Sequence, residues 1–246
     1  MKFKFALPVA VLVFLTACSH KPARVAVPTA PPATSAPSEL PAESAEGKPP
    51  KVPLPDIEIA PDTKPLLTET GIASWYGPPY HNRRGSNGEI YDMHAMTAAH
   101  RTLPLGSIVR VVSLQTKASA IVRITDRGPF IQGRVVDLSK AAAEKIGMLQ
   151  KGTTEVRIEV LKTPVPFETG GRWAVQIGGF DHEKAARDLA GHLTGRYHSA
   201  KVLTFNSPAG DWWVRVRVKD DLRARAEEVL RDTTTTEGTV FLVRLD

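Results

Sequence analysis

The distribution of proline and aromatic residues divides this chain of 246 residues into a part that can fold and a part that cannot. Twelve prolines fall between residues 19 and 68, and no Phe, Trp or Tyr occurs between Phe14 and Trp75. Such a segment cannot bury enough apolar surface to offset the entropy cost of ordering it. We therefore expect residues 18–68 to be a disordered, proline-rich tether, roughly 150 Å long when extended at ~3.1 Å per residue.

The N-terminus has the pattern of an export signal. Lys2 and Lys4 precede a short apolar run, which ends in the four residues Leu-Thr-Ala-Cys at positions 15–18. A basic start, a short apolar core and small residues before a cleavage site are typical of a secretory signal, here residues 1–17. The run is too short to remain as a membrane span.

Cys18 is the single cysteine of the chain, which excludes an internal disulfide and a zinc site built on several cysteines. Its surroundings resemble the lipobox of bacterial lipoproteins, which implies a lipid-modified Cys18 at the start of the mature protein. Several acyl chains anchor a protein firmly where a single chain does not. By the sorting rules of such lipoproteins, Ser19 favours the outer membrane, with the protein facing the periplasm. An ordinary signal peptide with an incidental cysteine is the alternative.

The net charge of +6 lies in the middle of the chain. Residues 71–162 have thirteen basic and seven acidic side chains, whereas residues 1–70 have seven of each and residues 163–246 have twelve of each. A basic domain predicts a polyanionic partner, namely nucleic acid, anionic lipid or an acidic glycan. Because export would separate the chain from nucleic acid, we expect a glycan and no nucleic acid.

Hydrophobic alternation predicts a mainly β domain over residues 69–162. A single short helix is expected at 139–146, capped by Ser139 and ended by Gly147. Many short strands in about ninety residues favour a small barrel. The segments with clear alternation and many Val and Ile residues are 107–114, 118–126 and 154–161.

Residues 170–246 have a different predicted order of elements, strand-helix-strand repeated twice, which favours a ferredoxin-like α/β sandwich. Helices are expected to begin at Asp181, as a capping residue, and at Asp221. The expected strands are 173–177, 201–205, 212–218 and 239–245, with a turn at 206–210.

The strand 212–218 has two unlike faces. Trp213, Arg215 and Arg217 share one face, and Val214, Val216 and Val218 share the other. We expect the valine face to pack on the helices and the aromatic-and-arginine face to stay open to a glycan that has carboxylates. A merely solvated sheet face is the alternative.

A series of motifs in residues 71–140 has a family resemblance. In order, they are GIASWYG at 71–77, SNGEIYDM at 86–93, MTAAH at 96–100, LPLG at 103–106, TDRGPF at 125–130 and RVVDLS at 134–139. With them the domain resembles the rare lipoprotein A family. The resemblance implies a double-psi β-barrel and a lyase, a lytic transglycosylase that cuts peptidoglycan glycan strands without a cofactor or a metal. By motif match, the family's catalytic residues fall on Asp126, Glu89, His100 and Asp92.

The chemistry of such a lyase needs one carboxyl group. It protonates the bridging oxygen and then, as a carboxylate, takes the proton of the muramic acid C6 hydroxyl, which closes a 1,6-anhydro ring. We assign this role to Asp126. The neighbours Val122 and Ile124 are expected to surround it with apolar side chains, which favours the protonated acid. Glu89 would orient the sugar or stabilise positive charge, with His100 and Asp92 holding the site together.

Simpler interpretations stand beside these assignments. An Asp before Arg-Gly-Pro is more often a turn residue than a catalyst, and a lone His100 is more often a buried hydrogen-bonding residue. The residues considered for a metal site, which lack a helical ligand spacing, are His81, His94, His100 and Asp92. Trp75, Tyr76 and Tyr91 either stack on sugars or belong to the core, and Arg127 is a further candidate for substrate binding.

Residues 172–246 are similar to the SPOR domain, through WAVQIG at 173–178 and WVRVRV at 213–218. That similarity implies binding to glycan strands stripped of stem peptides at the division septum, through Trp213, Arg215 and Arg217. It also suggests a functional link to an amidase that removes the stem peptides. Two function classes follow: an endolytic transglycosylase at the septum, or a non-catalytic glycan-binding scaffold lipoprotein.

Overall fold

The computed structural model describes residues 59–60, 62–206 and 210–246. The export signal, Cys18, Ser19 and most of the expected tether lie outside the described residues, as do residues 207–209 of the expected turn. In the described part of the chain, no helix is both long enough and apolar enough to cross a membrane.

Six strands form a closed barrel, in the order β1-β5-β2-β4-β3-β6. β1 pairs with β5 and β2 with β4 in parallel, and the other neighbours are antiparallel. This confirms the mainly β, double-psi barrel. The strands are β1 (Leu67–Tyr76), β2 (Thr97–Ala99), β3 (Ile108–Ser113), β4 (Ser119–Asp126), β5 (Arg134–Ser139) and β6 (Thr154–Lys162).

The alternating segments predicted from the sequence became β3, β4 and β6, within a residue or two of their expected ends. The predicted helix is α1 (Lys140–Lys145), and the Ser139 hydroxyl accepts a hydrogen bond from the Ala142 amide at 3.2 Å, as a capping residue does. The inward-facing small and branched residues of the strands fill the barrel, among them Ala73, Ala98, Val122, Ile124 and Val136, all 0–1% exposed.

The second domain is an antiparallel sheet with the order β10-β7-β9-β8, covered by two helices, which confirms the ferredoxin-like sandwich. The order of its elements is β7 (Trp173–Phe180), α2 (Glu183–Arg196), β8 (Lys201–Asn206), β9 (Trp212–Arg217), α3 (Arg223–Asp232) and β10 (Thr239–Arg244). The expected cap at Asp181 is wrong, because His182 has the extended backbone of the residue before α2 and its side chain makes no capping bond.

The two faces of β9 differ from the expectation in one respect. Val214, Val216 and Val218 are buried in the core of the domain with residues of α2 and α3, as predicted. Trp213, expected on an open face, is only 7% exposed. Its ring lies 5.1 Å from that of Phe130 in the barrel, so the barrel covers this part of the sheet. Burying two aromatic rings against each other is favourable, and sequence alternation does not reveal such a partner.

Candidate active site

A row of side chains crosses the outer face of the barrel where β4 ends. Cross-strand partners point to the same face, and Ser74 lies opposite Asp137, which lies opposite Ala99, which in turn lies opposite Asp126. The pairing of β2 with β4 shifts after Ala98: one step along β2, to Ala99, corresponds to two steps along β4, from Ile124 to Asp126. This bulge turns Asp126 away from the barrel core and onto the outer face.

Hydrogen-bond donors, not apolar side chains, surround the Asp126 carboxylate, so the expected apolar setting is wrong. Its Oδ1 accepts from the Ser86 amide at 3.0 Å, the Ser86 hydroxyl at 2.5 Å and the Arg127 amide at 2.7 Å. Val122 and Ile124 instead point into the barrel core. Within the described residues the hydrogen bonds of this carboxylate all end on Oδ1, which leaves Oδ2 available to a bound molecule.

The loop before β2 places Ser86 against the end of β4. The Asn87 amide donates to the Thr125 carbonyl at 3.2 Å, and the Gly85 amide donates to the Glu89 carbonyl at 2.8 Å. A Cβ at Gly85 would lie 3.3 Å from the Thr125 carbonyl oxygen, so this approach suits a glycine. The segment 85–89 is thereby fixed beside Asp126.

Glu89 lies in this same segment, but its carboxylate is bound by Arg123. The two guanidinium nitrogens of Arg123 donate to the two Glu89 oxygens at 3.0 and 2.6 Å. The hydrogen bond from Arg123 lowers the pKa of Glu89, so this carboxyl group is ionised near neutral pH. Glu89 therefore supplies negative charge beside the site and is not free to donate a proton.

His100 is joined to the site through its backbone. Its amide donates to the Asp126 carbonyl at 3.1 Å, whereas its ring is 4% exposed and lies against Glu69. Nδ1 accepts from the amides of Thr102 and Leu103, so Nε2 has the hydrogen, which it donates to Glu69 Oε2 at 3.3 Å. Burial lowers the pKa of His100, so the ring is neutral and holds the loop after β2.

Glu69 is a residue that the sequence analysis missed. The hydrogen bond with His100 lowers the pKa of its carboxyl group, which keeps it ionised as the acceptor for the His100 ring. No motif marked it, because it lies in β1 before the first motif of the family. Its role follows only from the pairing of β1 with the rest of the barrel.

Asp92 and two further histidines are grouped in the loop before β2. Asp92 Oδ1 accepts from the His94 amide at 2.9 Å and lies 3.9 Å from His81 Nδ1, which itself accepts from the Met93 amide at 3.2 Å. Asp92 thus shapes its own loop. Among the described residues, no group of three or more His, Cys, Asp or Glu side chains is arranged to hold a metal ion.

The three aromatic candidates are packed rather than open. Trp75 is partly buried against the barrel core. The rings of Tyr76 and Tyr91 stack at 4.3 Å, and the Tyr91 hydroxyl donates to the Tyr76 carbonyl at 2.8 Å. Tyr80, which the sequence analysis did not select, meets Tyr76 edge-on at 5.9 Å and is partly exposed.

Asp137 is a second carboxyl group of the same row and was also missed. It is separated from Asp126 by Ala99 alone, which places the two backbones about 10 Å apart at ~4.8 Å per strand. Asp137 pairs with Arg134, and its side chain is 18% exposed. Burial raises its pKa, against the opposing effect of Arg134. In the sequence, Asp137 follows two valines in RVVDLS, and nothing there distinguishes it from an ordinary polar residue near the end of a strand.

The Arg127 guanidinium is bound by main-chain oxygens. It donates to the carbonyls of His100 and Leu103 at 3.0 and 2.7 Å, and to the main-chain oxygen of Asp246 at 2.5 Å. Burial lowers its pKa to about 10, which still leaves it charged. These contacts give Arg127 a structural role, and the role expected for it in substrate binding stays a prediction.

The arginines of β9 also have protein partners. Arg215 donates twice to Gln176 Oε1, at 3.0 and 2.5 Å, and lies over the Phe205 ring at 5.1 Å. Arg217 pairs with Asp221 at 2.5 Å and keeps 37% of its side chain exposed. Of the three candidates on this face, Arg217 remains the most accessible to a glycan.

Two family profiles match the two domains. Residues 68–158 match the profile described as lytic transglycolase, and residues 169–232 match the SPOR domain. The first match covers nearly the whole barrel, and the second begins just before β7 and ends with α3, before β10.

Curated relatives match part of the chain. A Vibrio cholerae protein named endolytic peptidoglycan transglycosylase RlpA is 47% identical over 134 residues, covering 52% of this chain and 51% of the relative. Proteins of the same name from Helicobacter pylori and Neisseria meningitidis are 41% identical over 162 residues (54% and 52% covered) and 55% identical over 93 residues (38% and 39%). The chain thus spans about half the length of the first two, 51% and 52%.

Among solved structures, a Streptomyces papain inhibitor is similar over 41% of this chain and 100% of its own, with 21% identity and a TM-score of 0.33. That likeness is too distant to inform function. The barrel domain matches the lytic transglycolase family, the domain that follows it matches the SPOR family, and the chain is similar to the proteins named RlpA.

Proposed function

We propose that this protein is a lytic transglycosylase that cuts peptidoglycan glycan strands, with Asp126 as its acid and base. The observation that supports this most is the setting of the Asp126 carboxylate. Its Oδ1 is fixed by Ser86 and by the Arg127 amide, while Oδ2 has no hydrogen-bond partner among the described residues. A carboxyl group fixed at one oxygen and free at the other is suited to transfer a proton.

The reaction needs no water. In its acid form Asp126 gives a proton to the glycosidic oxygen as the bond from that oxygen to C1 of the muramic acid breaks. The Asp126 carboxylate then removes the proton of the C6 hydroxyl, and the C6 oxygen bonds to C1, which closes the 1,6-anhydro ring. Positive charge develops on the sugar in between, and the ionised Glu89 contributes negative charge near it.

The substrate class follows from charge and from the C-terminal domain. The barrel segment 71–162 has an excess of basic residues, thirteen against seven acidic ones, which suits the lactyl carboxylates of a glycan without stem peptides. We assign the recruitment of such strands at the division septum to the SPOR domain, with Arg217 as its accessible candidate. An amidase that removes stem peptides would supply the substrate.

The decisive experiment is mass spectrometry of products from purified, stem-free glycan strands. Wild-type protein should release fragments with 1,6-anhydro ends. Asp126→Asn keeps the size and the hydrogen bonds of the side chain but cannot transfer a proton, so turnover should fall by about 10²–10⁴-fold. Asp188→Asn, at an exposed position of α2, is the matched control and should retain turnover.

Other products would change the assignment. Reducing ends in place of anhydro ends would mean hydrolysis by two carboxyl groups, with Asp137 as the second because it shares the outer face with Asp126. If no fragment is released, the non-catalytic glycan-binding scaffold becomes the better interpretation.

Anchoring is a separate part of the proposal, supported by the sequence at residues 15–18. We assign lipid attachment to Cys18, with the outer membrane favoured by Ser19 and the domains on the periplasmic side. Cys18→Ala should abolish labelling by a fatty acid analogue and release the protein from membranes. Labelling that persists in this variant would contradict the assignment.

A further inference from the structure

The turn that follows Asp126 is bound by the C-terminal domain as well as by the barrel. Arg127 is the next residue, and its guanidinium joins the carbonyls of His100 and Leu103 to the main-chain oxygen of Asp246. One buried side chain therefore ties together β4, the loop after β2 and the segment that follows β10. This link lies one residue from the proposed catalytic carboxyl group.

Three aromatic rings continue the contact between the domains. Phe130 meets Trp213 at 5.1 Å and Phe241 at 5.9 Å. Trp213 and Phe241 are 7% and 9% exposed, and the guanidinium of Arg101 lies 5.3 Å above the Phe241 ring. We call Phe130, Trp213 and Phe241 the docking cluster. It holds the far end of the turn that begins at Asp126.

Main-chain hydrogen bonds align the end of β10 with the loop after His100. The Arg244 amide donates to the Arg101 carbonyl at 2.9 Å, and the Leu105 amide donates to the Asp246 oxygen at 3.3 Å. The segments that follow His100 and Asp126 are thus both attached to the same domain.

The position of the Trp213 ring depends on a glycine. Gly178 of β7 lies opposite Trp213 in the sheet, and a Cβ there would overlap the indole ring. Without a side chain at this position, the ring lies flat over the backbone of β7. The sequence of β7 therefore shapes the surface on which Phe130 rests.

We propose that Trp213 and Phe241 are positioning residues for the reaction. By packing on Phe130 they hold the turn 127–130, and through it they fix the orientation of the Asp126 carboxylate. The aromatic part of this sheet face serves as a docking surface for the barrel and not as an open glycan-binding surface. The proposal rests on the proposed function, because it concerns the same carboxyl group.

Three full-length variants test it. Trp213→Ala removes the ring from the docking cluster. Trp212→Ala is the matched control, because it removes an indole ring from the adjacent residue of β9. That ring packs against the core of the domain, on the helix side of the sheet. Trp213→Phe restores an aromatic ring. With stem-free glycan strands, kcat of Trp213→Ala should fall by roughly 10–100-fold with KM unchanged, since misplacement of about 1 Å costs up to ~10²-fold.

Trp212→Ala should keep a kcat near that of the wild type, and Trp213→Phe should recover most of it. Equal kcat values in Trp213→Ala and Trp212→Ala would overturn the proposal. A raised KM with an unchanged kcat in Trp213→Ala would also overturn it, in favour of glycan binding by this face.

Amide hydrogen exchange separates this proposal from the proposed function. In Trp213→Ala, exchange should accelerate over residues 127–134 and remain unchanged in β6, whether or not the protein is an enzyme. Unchanged exchange over residues 127–134 would overturn the docking of the turn. Failure of the wild type to release fragments would contradict the proposed function alone. If Trp213→Ala does not fold, Phe130→Leu trims the same cluster from the barrel side and should give the same two results.

Discussion

Two surfaces of the protein have the same sequence pattern but different surroundings. One is the outer face of the barrel at the end of β4, and the other is the Trp213 face of the C-terminal sheet. Each lies on a strand in which buried valine or isoleucine alternates with other residues. On the barrel, Asp126 stays partly exposed with one oxygen free. On the sheet, Trp213 is 7% exposed beneath Phe130. Alternation establishes which side chains share a face, whereas packing decides whether that face meets solvent or protein.

The chemistry of the two faces explains the different outcomes. A carboxylate is costly to bury without donors, so Asp126 remains at the surface where Ser86 and the Arg127 amide stabilise it. An indole ring gains free energy when another aromatic ring covers it. The motifs reveal the first case because they contain the acid, but nothing in WVRVRV names the ring that covers Trp213.

The second acid of the open face tests whether one carboxyl group is sufficient for the reaction. Asp137→Asn keeps the size of the side chain and an acceptor for Arg134, but it removes a charge from the row that contains Asp126. With Asp126 as both acid and base, release of fragments from stem-free strands should be retained, whereas a fall of about 10²-fold or more would mean that the two carboxyl groups act in one site. Product analysis by mass spectrometry gives the rate.

Stability controls the interpretation of this variant. Burial raises the pKa of Asp137, which means that the folded protein disfavours its ionised form. We therefore expect the neutral Asn to be tolerated. Unfolding by urea should show nearly the wild-type midpoint. Full turnover in Asp137→Asn would leave Asp126 as the single working carboxyl group of the open face.

The covered face is tested by adding volume beneath Trp213. Gly178→Ala places a Cβ into the indole ring, so the ring must move away from β7. Overpacking of this kind costs roughly 1–3 kcal/mol in the free energy of unfolding. Urea denaturation measures the loss.

Gly191→Ala is its matched control, because this exposed glycine of α2 has nothing within 4 Å of the added Cβ. Alanine is the better helix former, so this variant should gain about 0.5–1 kcal/mol. Equal stability of the two variants would show that the ring in solution does not lie where the structure has it.

Much of the fold was accessible from the sequence, for a physical reason. β3, β4 and β6 have the period of two that a half-buried strand requires, and the helices of both domains have apolar stripes. β2 was missed because its three residues are too few to show a period. β1 and β5 pair in parallel through a register shift, and no local pattern indicates such a partner.

The site was accessible only in part. The segment that contains Glu89 meets the end of β4 through the hydrogen bonds of Ser86 to Asp126 and of Asn87 to Thr125. The bulge at Ala99 turns Asp126 outward, and a period of two cannot show this. Glu69 and Asp137 were missed because their roles arise from pairing between distant strands.

A smaller effect is expected from Glu89 on the open face. Glu89→Gln keeps one acceptor for Arg123 but removes the charge. Because Arg123 already pairs with this charge and solvent screens it, its loss should raise the activation free energy by no more than about 1 kcal/mol, a fall in turnover of less than roughly fivefold. Glu159→Gln is the matched control, since this carboxylate also pairs with arginines, in β6. A loss as large as that of Asp126→Asn would make Glu89 a partner in proton transfer.

The smallest effect concerns His100, which lies between the two faces because its carbonyl accepts from Arg127. Burial lowers its pKa, so the unfolded chain binds a proton below about pH 6.5 while the folded protein does not. This contribution to stability is therefore complete above that pH, and it is lost as the pH falls toward the lowered folded value. The Glu69 contribution, also from a lowered pKa, is lost only at more acidic pH, below its unfolded value of 4.5.

Thermal unfolding measured at pH 7 and at pH 5.5 checks this prediction. The melting temperature of the wild type should fall between these pH values, and the fall should be absent in His100→Asn, whose amide oxygen replaces Nδ1 as acceptor. His192→Asn controls for the loss of an exposed histidine elsewhere. The same decline in His100→Asn would mean that the ring is solvated, and that the loop joining the open face to the covered one is held by Arg127 alone.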